Sequence, residues 1–139
     1  MALVTAASRG LGRAIALRLA RESAKVAIVS RNSSEIDDLV EEMGGTAAGH
    51  FGIALDLTKE AVPTELIRAV TTEMGPIDIA VHNSGGTLDI RDPYCSIEDW
   101  RKFWRFNVEV AIELNLQLLP GMRERGWGRI VQISSIAAI

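Results

Sequence analysis

The sequence predicts an α/β fold built on a doubly wound, mainly parallel sheet. Three observations lead there. Short runs rich in β-branched residues alternate with longer segments of helical period, strand then helix, along the chain. The run Val26-Ala27-Ile28-Val29 is apolar at every position, as befits a strand covered on both faces. No shift of composition and no low-complexity linker divides the chain. Strands separated by helical segments in this way need right-handed crossovers to lie side by side.

Ala2-Leu3-Val4 starts the first strand. A glycine turn then leads into a helix over 11–22, where Leu11, Ile15 and Leu19 recur every fourth position and define one face. After the second strand, Ser33 or Ser34 is placed to cap a helix carrying Ile36, Leu39, Val40 and Met43, which Gly44-Gly45 ends. Residues 51–55 form a weaker third strand, and Thr58 opens a helix bearing Leu66, Ile67, Val70 and Met74 that stops at Gly75-Pro76. Residues 77–81 form the fourth strand. Ser96, with Asp99 three residues on, resembles a capping box. From there Trp100, Phe103, Trp104, Val108, Ile112, Leu116 and Leu119 mark one long helix that Pro120 kinks or ends. Trp100 and Trp104, four apart, read as a packing or subunit-contact face. Gly126-Trp127-Gly128 turns the chain into a last strand over 130–133.

The 139 residues are 47% hydrophobic and 24% charged, which suits one folded unit spanning 1–139. A chain of this size can bury roughly 68% of its unfolded surface, so neither disulfide nor metal is needed to hold it. A net charge of −3 offers no cationic excess to attract a nucleic acid backbone. Cys95 is the only cysteine, and His50 and His82 stand far apart, so no metal site is expected and a reducing, cytoplasmic setting is. Apolar stretches break well before the roughly 18 residues that suggest a membrane span, so no membrane partner is expected. Arg9, Arg13, Arg18 and Arg21 precede the first acid, Glu22, as in a transit peptide. A transit peptide, however, has no use for spaced glycines beside a hydrophobic strand.

Those glycines lie in Thr5-Ala6-Ala7-Ser8-Arg9-Gly10-Leu11-Gly12, between the first strand and the first helix. A pyrophosphate there would meet unpaired helix N–H groups and the positive end of the helix dipole, and glycine lets the backbone come close. An ordinary turn with chance glycines is the competing reading, but the position behind a buried strand favours the nucleotide. Doubly wound sheets collect ligands at the carboxyl ends of their strands, where strand order reverses. Here those ends are Thr5, Ser30, Asp56, Asn83 and Ser134.

With these residues in place the chain resembles the first half of a short-chain dehydrogenase/reductase, whose nucleotide turn reads Thr-Gly-x-x-x-Gly-x-Gly. Ala6 stands where the family has its first glycine, and a positive φ there would cost alanine on the order of 1 kcal/mol. The resemblance implies a Rossmann-like dinucleotide-binding domain with Ser8, Arg9, Gly10, Leu11 and Gly12 around the pyrophosphate. Asp56-Leu57 resembles the adenine-contacting pair, a helix N-terminal acid being the alternative. His82-Asn83-Ser84-Gly85 resembles Asn-Asn-Ala-Gly, which supports the central sheet and borders the cofactor ribose. Asn107 would hold a water in a proton relay. The segment ending in Ser134-Ser135 resembles the strand before the catalytic serine, which this register places at Ser135, with Ser134 the nearest rival. That serine would hydrogen-bond the substrate carbonyl oxygen.

At the end of the second strand an acid would bind the ribose 2′-hydroxyl of NAD. The sequence reads Ser30-Arg31-Asn32 there. Arg31, helped by Arg9, can pair instead with a 2′-phosphate, so NADP(H) is expected over NAD(H). The implied activity is hydride transfer between NADP(H) and a small-molecule ketone or secondary alcohol, in wording most like the 3-oxoacyl-carrier-protein reductases. The full-length family form would be a homo-oligomer. The family's tyrosine, followed four residues later by a lysine, is not found: Tyr94 is the only tyrosine, Glu98 lies four further on, and the lysines are Lys25, Lys59 and Lys102. The chain is therefore expected to be partial, to lack the C-terminal catalytic and dimerisation segments, and to be inactive alone. The alternatives are a non-catalytic nucleotide-binding module and a truncated product without activity.

Overall fold

Strand pairing places the central strand first in the chain. The computed structural model describes residues 1–135. Its strands are β1 (Ala2–Thr5), β2 (Val26–Ser30), β3 (Phe51–Ala54), β4 (Ile79–His82) and β5 (Arg129–Gln132), all parallel, in the order β3-β2-β1-β4-β5. The chain runs outward from β1 through β2 to β3, then returns to lay β4 against the other side of β1. Strand order thus reverses between β1 and β4, and Val4 pairs with Ile28 on one side and Val81 on the other.

Helices cover both faces, which is why β1 and β2 are apolar at nearly every position. Helices α1 (Gly10–Arg21) and α2 (Ser33–Glu42) pack with Val4, Val26, Ile28 and Val81 on one face. On the other face α3 (Val62–Met74) and α5 (Val110–Glu124) pack with Leu3, Ala27, Val29 and Ala80. A shorter helix, α4 (Ile97–Trp104), runs into α5 through one π-helical segment, Arg105–Glu109. Among the described residues no helix is long and apolar enough to cross a membrane.

Several local expectations are corrected. Helix α1 seats on the sheet through Gly12 and Ala16, so Leu11, expected on its buried face, is 56% exposed. Neither Ser33 nor Ser34 caps α2. Asn32 does, its Oδ1 accepting from the backbone N–H groups of Ser34 and Glu35 at 3.1 and 3.5 Å, because it sits one residue before the first helical turn. Helix α3 begins at Val62 rather than Thr58, because the Asp56 carboxylate takes the Thr58 N–H and hydroxyl and holds a turn there. Pro63 then suits the first helical turn. Strand β3 stops at Ala54, and β4 starts two residues later than expected, at Ile79.

The expected single long helix is divided by the π segment. Beyond it the buried stripe is Val110, Leu114, Leu118 and Met122, whereas Ile112, Leu116 and Leu119 face solvent. Both stripes are apolar in sequence, so spacing alone does not say which one meets the sheet. Pro120 neither ends nor breaks α5, which continues to Glu124. Pro120 is itself exposed, and its missing N–H leaves the Leu116 carbonyl without its usual intrahelical donor.

Candidate nucleotide cleft at the strand ends

The carboxyl ends of β1, β2 and β4 are tied together before any ligand is considered. Thr5, fully buried, accepts through Oγ1 from the N–H groups of Asn83 and Ser84 at 2.9 and 3.0 Å, so the end of β1 orders the turn after β4. The Asn83 side chain donates to the Ala6 carbonyl at 3.1 Å, and the Ser30 hydroxyl donates to Ser8 Oγ at 2.9 Å. Gly12 lies where a Cβ would come within 2.5 Å of both the Ala6 carbonyl and the Asn83 amide, so only glycine allows this close seating of α1. Ala6 itself has a φ of 49°, the left-handed conformation that disfavours alanine, and Gly10 has a φ of 56°.

Above this seam lies a cavity of about 480 Å³. Ser8 and Arg9 line it from the glycine turn, Ser30 and Arg31 from the end of β2, and Asp56 and Leu57 from the end of β3. Asn83, Ser84 and Gly85 close the side beyond β4. Gly10, Leu11, Gly12 and Asn32 lie outside the cavity wall: the first three begin α1, and Asn32 is occupied in capping α2. The start of α1 has no side-chain cap and no acid in its first turn. Its first N–H groups, with Arg9 and Arg31 in the wall of the neighbouring cavity, make a donor set suited to a phosphate, and the site fits a phosphorylated dinucleotide on that ground. Burial alone would raise the Asp56 carboxyl, but the Thr58 hydrogen bonds and the cations Arg31 and Lys59 outweigh it and hold it below its ordinary value. Asp56 is therefore an ionised acceptor at neutral pH.

A second cavity, about 770 Å³, adjoins the first through Asn83, Ser84 and Gly85, and Asn107, Ser134 and Ser135 line it. Both serines reach it from the residues just after β5, so their order is not separated by position. Asn107 sits in the π segment with its amide engaged: Oδ1 accepts from the Gly86 N–H at 2.9 Å, and Nδ2 donates to the carbonyls of Gly86 and Phe103 at 3.0 and 2.9 Å. Its side chain thus grips the loop after β4.

Sequence reasoning missed several wall residues. Phe106, Thr87, Leu88 and Asp89 line the first cavity, and Asn115 the second. Leu88 and Asp89 both have positive φ, at 52° and 61°, which leucine does not signal and aspartate signals only weakly. His82, the last residue of β4, is buried and paired with Asn115 Oδ1 at 2.7 Å. Only a helix-borne asparagine at Asn115 hinted at this partner.

A parallel sheet that reverses its order beside a glycine turn, with a cleft across its strand ends, places the molecule among the doubly wound α/β folds. The short chain dehydrogenase family model matches residues 1–139, and the chain belongs to that family. The ketoacyl reductase HetN of a Nostoc species is 35% identical over 97% of this chain and 47% of its own length. The 3-oxoacyl-[acyl-carrier-protein] reductase FabG of Vibrio cholerae is 33% identical over 98% of this chain and 54% of its own. The crystal structure of L-sorbose reductase from Gluconobacter frateurii, complexed with NADPH and L-sorbose, superposes with a TM-score of 0.87 at 30% identity, covering 99% of this chain and 53% of that one. The chain spans about half the length of these relatives.

Proposed function

We propose that these 139 residues form the dinucleotide-binding part of an NADP(H)-dependent oxidoreductase that interconverts a ketone and a secondary alcohol, with a 3-oxoacyl-type substrate. One observation carries the reading: Ser8, Arg9, Ser30 and Arg31 converge on one cavity beside an uncapped helix terminus at the strand-order reversal. Two ketoreductases among the relatives and a neighbour bound to NADPH support the chemistry and the coenzyme. When bound, the nicotinamide would supply the hydride. The protein's part is to hold and orient. The α1 N-terminus and Ser8 would take the pyrophosphate, Arg31 and Arg9 the 2′-phosphate, and Asp56 the adenine amine. Asn83, Ser84 and Gly85 would border the ribose. Ser135 would donate to the substrate carbonyl oxygen, with Asn107 holding the adjoining loop and a relay water. The tyrosine and lysine that would complete proton transfer are not among these residues, where Glu98 follows Tyr94 at that spacing.

Titration with NADPH and NADH, followed by nicotinamide fluorescence, tests the coenzyme assignment. NADPH is expected to bind more tightly, and Arg31→Ala to weaken NADPH by about tenfold while leaving NADH nearly unchanged. Equal affinities in the unaltered protein would refute it.

A further inference from the structure

We infer that Arg105 is a positioning residue for the adenine side of the cleft, acting through the loop that carries Asp56. This rests on the dinucleotide reading above. The segment between β3 and α3 is held only in part by its own backbone, through the Lys59 N–H to the Asp56 carbonyl at 3.1 Å and the Val62 N–H to the Lys59 carbonyl at 3.4 Å; α3 has no side-chain cap, and Ala61, at its N-terminus, has a φ of 63°. Asp56 organises only the near part of the turn, through Thr58. Two carbonyls farther on are held from another element. Arg105 donates through Nε to the Thr58 carbonyl at 3.2 Å and through Nη2 to the Lys59 carbonyl at 3.4 Å.

Arg105 is equipped for this role. Its side chain is only 15% exposed, and Glu113, two turns further along the helix, holds the guanidinium through both nitrogens of the fork. Glu109 adds a more distant charge at 3.7 Å. Clamped on one edge, the planar group presents its remaining donors in a fixed direction, which a lysine ammonium does not do. Arg105 also belongs to the π segment that carries Asn107, and π segments recur at functional sites. Residues two apart on a helix point roughly 200° apart. Arg105 accordingly reaches the loop after β3 while Asn107 grips Gly86 after β4, and Phe106 between them lines the cavity. One helical turn thereby sets both walls of the cleft, with Arg105 assigned to the adenine wall.

The test titrates NADPH and its adenine half, adenosine 2′,5′-bisphosphate, calorimetrically into the protein and into Arg105→Met, well below the unfolding midpoint of each. Loss of the guanidinium is expected to weaken both ligands by the same factor, on the order of tenfold, with Arg105→Lys intermediate. Unchanged affinity for both ligands would reduce Arg105 to a stability residue and overturn the assignment. A loss confined to NADPH would overturn it too, since the effect would then lie on the nicotinamide side. Should Arg105→Met fail to fold, Glu113→Gln frees the guanidinium while keeping its donors. It is expected to give the same paired loss at smaller size, and unchanged affinities there would again overturn the assignment. An unaltered protein that binds neither ligand would instead defeat the dinucleotide reading, and the Arg105 assignment with it.

Discussion

Ala6 is where a single side chain sets the local conformational cost of the glycine turn. Its backbone is left-handed, at a φ of 49°, and its carbonyl accepts from Asn83, so the conformation is held by the contact that joins the turn to β4. An L-residue with a Cβ pays on the order of 1–2 kcal/mol for that conformation, and glycine's extra freedom in the unfolded chain offsets part of the gain from removing it. Ala6→Gly is therefore expected to raise stability by about 0.5–1 kcal/mol, seen as a higher denaturant midpoint with an unchanged slope. A lower midpoint would mean that the alanine methyl makes contacts worth more than the strain. That Ala6 departs from a glycine pattern was legible in the sequence. Its φ was not, because the hydrogen bond that holds it comes from a residue 77 positions away.

At the scale of elements, β4 and α5 meet through His82 and Asn115. The His82 ring is buried, with Nε2 bonded to Asn115 and Nδ1 without a hydrogen-bond partner among the described residues. Burial pushes its pKa below the ordinary 6.5, and the Asn115 bond only partly opposes this. A group whose folded pKa is depressed stays neutral in the native state while the unfolded chain takes up a proton. The unfolded state then binds more protons below pH 6.5, so stability is constant above that pH and falls as the pH drops through the interval down to the folded value. Thermal unfolding at pH 7 and pH 5 is expected to show a drop that shrinks in His82→Gln. An equal drop in the variant would assign the acid sensitivity elsewhere. Asp56 does not confuse this window, because its carboxyl titrates below its ordinary value of 3.8. The same elements show how far periodicity reaches. The spacing of Leu114, Leu118 and Met122 is as helical as that of Ile112, Leu116 and Leu119, and only packing against α3 and the sheet makes the first set the buried one.

Over the whole molecule, a net negative chain places two guanidiniums, Arg9 and Arg31, in the wall of one cavity. A ligand with an additional phosphate should feel that local field more than one without it. Raising ionic strength from about 0.01 to 0.1 M shortens the screening length from roughly 30 to 10 Å. Over that range NADPH affinity is expected to fall several-fold while NADH affinity changes little, narrowing the gap between them. A gap independent of salt would mean that discrimination does not arise from these charges.

The alternation of strand and helix, the two-sided burial of β2 and the glycine turn ahead of α1 were all written in short stretches of residues. Each follows from local periodicity or from one residue's conformational range, so the parallel α/β class and the rim of strand ends could be read without coordinates. Partners chosen across the fold could not be. Thr5 bonding beyond β4, Asn107 gripping Gly86 and Arg105 holding the Thr58 and Lys59 carbonyls each depend on where a side chain points once the layers have packed. Most of these contacts join residues tens of positions apart. They exist because polar groups, partly buried or exposed, take the donors and acceptors that packing brings within reach, and no spacing in the sequence records that choice.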